Sequence, residues 1–267
     1  LHYSTDGVFV TPEKISSESV TGKVAIHLTT DRYDRPANVQ MAILSPELDT
    51  VFIDDIRTKI DGKSDKMTLN VPFTINSPQL WCDKAGEQPL YSIIAKVSTN
   101  TTVDSVAVKT GFRSISIGND HLLRINGNAS RIRGVAMYND RAGVGSALRS
   151  EHIAEDISLI SEIGANMIRM VTSPAASGYL DECDRRGIGV WCDIPLVNSP
   201  FLADVPYTTS PALAESGREQ LREIIAQNYN RPSVLMWGIF SKLVVPGDDP
   251  RPYIRELNSL AKNLDPS

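Results

Sequence analysis

Residues 151–171 read EHIAEDISLISEIGANMIRMV, and they hold the clearest structural signal in the chain. Isoleucine recurs every three or four residues, which predicts an amphipathic helix with an apolar stripe at positions 153, 157, 160 and 163. Gly164 follows where helices commonly end in a left-handed residue, and the apolar run Met167–Val171 then predicts a buried strand. A helix that leads directly into a buried strand indicates a parallel α/β domain.

The same order of strand and helix continues on both sides of this segment. Further strands are predicted at Ile132–Met137, Ile188–Ile194 and Val234–Phe240, and further helices at Ser177–Arg186, Ala212–Asn228 and Pro252–Leu264. These elements make four consecutive β/α units, the number found in half of a (β/α)8 barrel. We therefore predict that residues 111–267 form a partial (β/α)8 TIM barrel, its N-terminal half.

The first 110 residues have a different pattern. Apolar and polar residues alternate with a period of two in runs such as Lys23–Leu28, Val39–Leu44 and Leu90–Val97, and turn-rich segments separate these runs. Several short strands without any helical pattern are typical of an antiparallel sandwich. We predict a multi-domain chain in which an immunoglobulin-like β-sandwich over residues 1–110 precedes the barrel portion.

Composition excludes several classes of function. The chain has 267 residues and a formal net charge of −5, which argues against nucleic acid as a partner. No apolar stretch approaches the roughly 18 residues that would predict a membrane span. The three cysteines and four histidines show no metal-ligand spacing, so we expect neither a metal site nor another cofactor.

In a barrel of this kind, functional residues lie at the C-terminal ends of the strands. Each predicted strand ends in residues that could contact a ligand. Together with the arginine on the second strand and the tryptophan on the fourth, the candidates are Tyr138, Asp140, Arg169, Thr172, Asp193, Trp237, Ser241 and Lys242.

A set of short motifs carries a resemblance to a known family. They include Gly111-Phe-Arg113, Asn166-Met-Ile-Arg169, Val190-Trp191, Asn230-Arg-Pro-Ser233 and Trp237-Gly238. Their order and spacing resemble glycoside hydrolase family 2, the β-galactosidase and β-glucuronidase group, over nearly the whole chain. The resemblance implies a role in carbohydrate metabolism and a retaining β-glycosidase mechanism, with an acid/base glutamate and a nucleophile glutamate about 5 Å apart.

The chain departs from that family at the positions that would perform catalysis. The resemblance places the acid/base glutamate in an Asn-Glu pair after Trp237-Gly238, but the sequence there is Ser241-Lys242. A lysine ammonium cannot replace the carboxylic acid, because it would repel the positive charge that develops on the sugar. The nucleophile belongs to a later strand, so we expect this chain to be part of a longer protein, and we predict no catalytic residues within it.

The candidate contacts also have structural interpretations. Substrate binding is predicted for Tyr138, Asp140, Arg169, Thr172, Asp193 and Trp237. The two aspartates could instead satisfy backbone donors beside a turn. The arginine could pair with a carboxylate at the strand ends, and the tryptophan could pack in the core.

Two functional hypotheses remain open at this point. The first is a glycoside hydrolase relative that is catalytically silent in this chain, and the second is a non-catalytic carbohydrate-binding or inter-domain interaction module. The partner in either case would be a β-linked glycan. Unpaired edges of a partial barrel also predict self-association. The resemblance suggests a periplasmic or extracellular location in a bacterium.

Overall fold

A computed structural model describes residues 7–29, 35–60, 67–196, 208–241 and 247–266. The first part of the chain contains seven strands. They are β1 (Val8–Ile15), β2 (Ser19–Leu28), β3 (Arg35–Leu44), β4 (Thr50–Ile60), β5 (Met67–Asn76), β6 (Tyr91–Ser98) and β7 (Val103–Thr110).

These strands form two antiparallel sheets that pack face to face. One sheet has the order β1-β2-β5 and the other the order β4-β3-β6-β7. Burial alternates along the strands, so that Val24 from the first sheet and Met41 and Ile93 from the second belong to one buried cluster. The predicted sandwich is therefore confirmed, and its fourth strand, β4, lies in the sheet of β3, β6 and β7.

A small antiparallel sheet links the sandwich to the second domain. Its strands are β8 (Ile115–Ile117), β9 (Leu123–Ile125) and β10 (Asn128–Ser130). Asn126 and Gly127 connect the last two strands with φ of 52° and 77°, as the Asn-Gly turn predicts. The sequence did not predict β10, because three residues are too few to show a period.

The remaining elements alternate between strand and helix. The strands are β11 (Gly134–Met137), β12 (Met167–Met170), β13 (Gly189–Asp193) and β14 (Val234–Gly238), and the helices are α1 (Ser150–Glu162), α2 (Ser177–Arg186), α3 (Pro211–Asn228) and α4 (Arg251–Leu264). The strands are parallel and lie in the order β11-β12-β13-β14. This confirms a parallel β/α domain, the architecture of a partial TIM barrel.

One expectation about burial is wrong. Ile163 is 71% exposed, because α1 ends at Glu162 and the cap residue turns away from the stripe that Ile153, Ile157 and Ile160 bury. The strand predicted over Val234–Phe240 ends at Gly238, and the three residues between Val234 and Gly238 are half-buried. Within the described residues β14 pairs only with β13, which leaves its other edge uncovered.

Side chains fix the orientation of the sandwich relative to the β/α domain. Asn230 accepts a hydrogen bond from Val10 N at 2.9 Å and donates one to Val8 O at 2.8 Å, both in β1. The buried Trp81 donates its indole N–H to Asp184 O at 2.8 Å. Arg113 donates to Val234 O at 2.6 Å, and its burial lowers the pKa of the guanidinium to about 10. No helix among the described residues has the length and apolar character of a membrane span.

Candidate functional site

The C-terminal ends of the four parallel strands lie side by side. Met137 pairs with Met170, Met170 with Cys192, and Asp193 with Gly238, so the residues that follow each strand meet at one edge of the sheet. The predicted candidates within the described residues lie at or next to these strand ends.

An ion pair occupies the centre of this edge. Arg169 donates from Nε at 3.1 Å and from Nη2 at 2.8 Å to Asp193 Oδ2. The guanidinium also lies over the ring of Trp191, with Cζ 4.3 Å from the ring centroid. Asp193 is completely buried, while 33% of the Arg169 side chain is exposed. The pairing between this arginine and a strand-end carboxylate is the structural alternative that the sequence left open.

Thr172 lies next to this ion pair in an unusual backbone conformation. Its φ is 58°, and its backbone N–H points to Asp193 Oδ2 at 3.5 Å. A β-branched residue in the left-handed region is strained by about 1–3 kcal/mol, and such strain persists only where the surroundings enforce it. The carboxylate that pairs with Arg169 therefore also stabilises the turn that carries the Thr172 side chain.

The end of β11 is more open. Tyr138 is 58% exposed and Asp140 is also exposed, so both could reach a ligand from solvent. Asn139 between them donates to Ser173 Oγ at 3.1 Å and to Pro174 O at 2.6 Å, which ties the segment after β11 to the segment after β12. The contacts of Asn139 have no signal in the sequence, because they depend on how the two segments meet.

The end of β14 presents a different environment. Trp237 donates its indole N–H to Asp265 Oδ2 at 2.8 Å, so that group is engaged at the end of α4. Ser241 is buried, and its backbone N–H donates to Leu196 O at 2.9 Å, which joins the segments after β13 and β14. Lys242, the residue predicted to occupy the acid/base position, lies outside the described residues.

Thiols and metal ligands have no evident part in this edge. Cys183 and Cys192 are buried, and burial raises the pKa of the Cys183 thiol well above its usual value and that of the Cys192 thiol to about 12. Such thiols are poor nucleophiles, because the reactive thiolate is disfavoured. Among the residues that the structure describes, no three histidine, cysteine or acidic side chains are grouped closely enough to hold a metal ion.

An antiparallel sandwich followed by parallel β/α units, with polar residues at the strand ends, defines the class of barrel proteins that carry an N-terminal sandwich. Comparison with protein families gives the assignment within this class. The model for glycosyl hydrolases family 2 matches residues 5–113, and the model for the TIM barrel domain of the same family matches residues 115–267. The chain belongs to glycosyl hydrolase family 2.

Individual relatives agree with the family assignment. A β-glucuronidase of Bacteroides fragilis is 33% identical over 269 aligned residues, which cover 100% of this chain and 38% of the relative. A β-galactosidase of Bacteroides ovatus is 24% identical and aligns over 93% of this chain and 29% of its own length. The chain thus spans 38% of the length of the first relative and 29% of the length of the second.

Solved structures show the same fold. The β-glucuronidase 2 of Bacteroides uniformis, bound covalently to cyclophellitol-6-carboxylate aziridine, superposes with a TM-score of 0.85 at 23% identity, covering 100% of this chain and 33% of that one. The β-glucuronidase of Parabacteroides merdae gives a TM-score of 0.84 at 22% identity over 98% of this chain and 33% of its own.

Proposed function

We propose that this chain is a family 2 glycoside hydrolase relative that does not hydrolyse glycosides. The observation that carries the proposal is the state of Asp193, the one buried carboxylate at the described strand ends. Its Oδ2 accepts hydrogen bonds from Arg169 and faces the backbone N–H of Thr172, so this oxygen is engaged within the protein. A general acid must instead present its carboxyl group to the glycosidic oxygen.

The other strand-end residues support the same proposal. Asp140 is exposed to solvent at the end of β11, whereas the acid of a glycosidase typically lies in an apolar pocket. At the position that the family uses for the acid/base glutamate, the sequence has Lys242. The proposal therefore rests on Asp193 together with this position.

A hydrolysis assay tests the proposal. We expect no release of nitrophenol from nitrophenyl β-glucuronide or nitrophenyl β-galactoside, the substrates suggested by the relatives' names, above the rate in buffer. Turnover that is lost in Asp193→Asn or Asp140→Asn would contradict the proposal. Glu47→Gln is the matched control, because it removes an exposed carboxylate in the sandwich, far along the chain from the strand ends.

A second candidate function is binding of a β-linked glycan without turnover, either as a carbohydrate-binding module or as part of an inter-domain contact. The exposed ring of Tyr138 and the partly exposed guanidinium of Arg169 favour it, because aromatic faces and fixed donors are groups that bind sugars. A thermal-shift screen with galactose, glucose, mannose, glucuronate, glucosamine and their β-linked disaccharides tests it. A sugar at a concentration of a hundred times its Kd raises the free energy of unfolding by about 2.7 kcal/mol. A melting temperature that stays the same with every sugar would contradict binding.

We also propose the finer organisation of the chain. The sandwich occupies residues 1–110 and the barrel portion 111–267; in support, β7 ends at Thr110 and β8 begins at Ile115. The four β/α units correspond to the first half of an eight-unit barrel. A periplasmic or extracellular location in a bacterium is proposed from the bacterial relatives, and fractionation of the native source would test it.

A further inference from the structure

A cavity lies where the sandwich meets the β/α domain, next to the N-terminal end of β14. Its volume is about 230 Å³, and its lining comes from β1, from the segment between β7 and β8, and from the loop between α3 and β14. Glu13 and Pro266 also line it, and both are exposed, so the cavity opens to solvent. The junction of the two domains therefore holds space for a small molecule.

Arg113 lines this cavity and has hydrogen-bond donors that the protein does not use. Among the described residues its guanidinium donates only from Nη2, to Val234 O, and its buried Nε–H has no partner. Burial lowers the pKa of this guanidinium to about 10, and the attraction of Asp265 and Asp184 offsets the effect only in part. A largely buried cation with unused donors favours an anion as its partner.

The other charged residues of the lining already have partners of opposite charge. Arg231 pairs with Asp181 and with the buried Asp184. Glu13, at the mouth of the cavity, lies 3.8 Å from Lys23 in an exposed ion pair. Water and salt weaken the field of such an exposed carboxylate, whereas the field of a buried guanidinium is screened much less. The charge of Arg113 therefore decides which ligand the cavity favours.

The lining also offers apolar surface, from Pro12, Ile15, Ile115 and Pro232. We propose that the cavity binds a small carboxylate with an apolar body, whose carboxylate accepts hydrogen bonds from Arg113 and whose body packs against these residues. A planar carboxylate matches the donor geometry of a guanidinium, and small-molecule sites typically combine apolar surface with a few fixed polar groups. This site is separate from the strand ends and does not depend on glycan binding there.

Calorimetric titration of the wild-type chain with benzoate and with benzamide tests the ligand chemistry. The two molecules have nearly the same shape, but only benzoate is charged. We expect benzoate to bind with one molecule per chain and at least about tenfold more tightly than benzamide, because hydrogen bonds to a charged group are the stronger ones. Sulfate, an anion without an apolar body, should displace benzoate only at a much higher concentration.

Four variants test the location of the site. Arg113→Gln should weaken benzoate binding at least about tenfold and leave benzamide unchanged. Ile15→Trp, at a half-buried position of the lining, should block both ligands by filling the cavity. Glu13→Gln should tighten benzoate binding about twofold at low salt, since it removes a negative charge at the mouth. Arg57→Gln is the matched control, because it removes an exposed arginine in β4 that does not line the cavity, and we expect unchanged affinity.

Three results would overturn the inference. They are no binding of benzoate at millimolar concentration, equal binding of benzoate and benzamide, and displacement of benzoate by sulfate at an equal concentration. Thermal unfolding shows whether each variant is folded. If Arg113→Gln does not fold, because its bond to Val234 O is lost, the ligand series on the wild-type chain and the opposite effects of Glu13→Gln and Ile15→Trp still decide the question.

Discussion

At the scale of single residues, Asp193 links the stability of the sheet to the chemistry of the strand ends. The carboxylate is completely buried and neutralised by one guanidinium, which is itself held over an indole ring. Removing one partner of a buried ion pair leaves the other charge without compensation, and this costs more than the pair contributes. The residue at the centre of this edge should therefore be important for folding.

Asp193→Ala should lower the free energy of unfolding by about 3 kcal/mol, at the low end of the range for buried pairs, because Arg169 keeps some contact with water. Urea denaturation followed by circular dichroism measures the change. Asp140→Ala is the control: this carboxylate is exposed, and its removal should change stability by no more than about 0.5 kcal/mol. Equal effects of the two variants would contradict a structural role for the ion pair.

Thr172 provides a second prediction at this scale, since its left-handed conformation is unfavourable for a β-branched residue. Thr172→Gly should keep or raise the free energy of unfolding, by up to about 1 kcal/mol, because glycine adopts positive φ without strain. Thr74→Gly, an exposed position in the extended strand β5, should instead lower it by about 1 kcal/mol. Thermal unfolding of both variants checks the opposite signs, and a loss at both positions would show that Thr172 is not strained.

At the scale of secondary-structure elements, the loop between α3 and β14 connects the two domains. Its Asn230 side chain pairs with the backbone of β1, the outer strand of its sheet, in the way that a neighbouring strand would. Both hydrogen bonds are buried, so two backbone groups of the sandwich depend on the β/α domain for their partners. The sandwich and the β/α domain should therefore unfold together.

Asn230→Ala should lower the free energy of unfolding by about 2–4 kcal/mol, because two hydrogen bonds are lost and two buried groups of β1 become unpaired. The control is Asn228→Ala, which removes only a local bond to Ile224 O within α3 and should cost less than about 1 kcal/mol. Denaturation monitored by fluorescence and by circular dichroism should show one shared transition in the wild-type chain. Two separate transitions there would contradict the coupling.

The elements also show what sequence can and cannot predict. Helix α1 follows from the spacing of isoleucine, and Gly187, with a φ of 72°, caps α2 after Arg186, where the predicted helix ends. The position of the site follows from topology, because the ends of parallel strands meet at one edge. The buried Trp191 indole N–H, which has no partner among the described residues, and the Asn139 contacts could not be predicted, since they depend on side-chain directions that are fixed only when neighbouring strands and loops pack.

At the scale of the whole molecule, the parallel sheet has two outer strands, β11 and β14, whose outer edges have no partner strand among the described residues. Within the described residues β11 pairs only with β12 and β14 only with β13. In the same domain, the apolar side chains of Ile132, Leu159 and Ile163 are 44%, 54% and 71% exposed. Unpaired strand edges beside exposed apolar side chains favour association with another polypeptide.

We therefore expect this chain to self-associate in solution through these edges, with a mass above that of the monomer by size exclusion with light scattering at micromolar concentration. Leu159→Glu combined with Ile163→Glu should shift the equilibrium toward monomer, because burying two carboxylates in an apolar contact is unfavourable. Leu48→Glu is the matched control: this leucine is 71% exposed but belongs to the sandwich, so its replacement should leave the mass unchanged. A wild-type chain that remains monomeric would rule out self-association. A mass that falls with Leu48→Glu, and not with the double variant, would place the association surface on the sandwich.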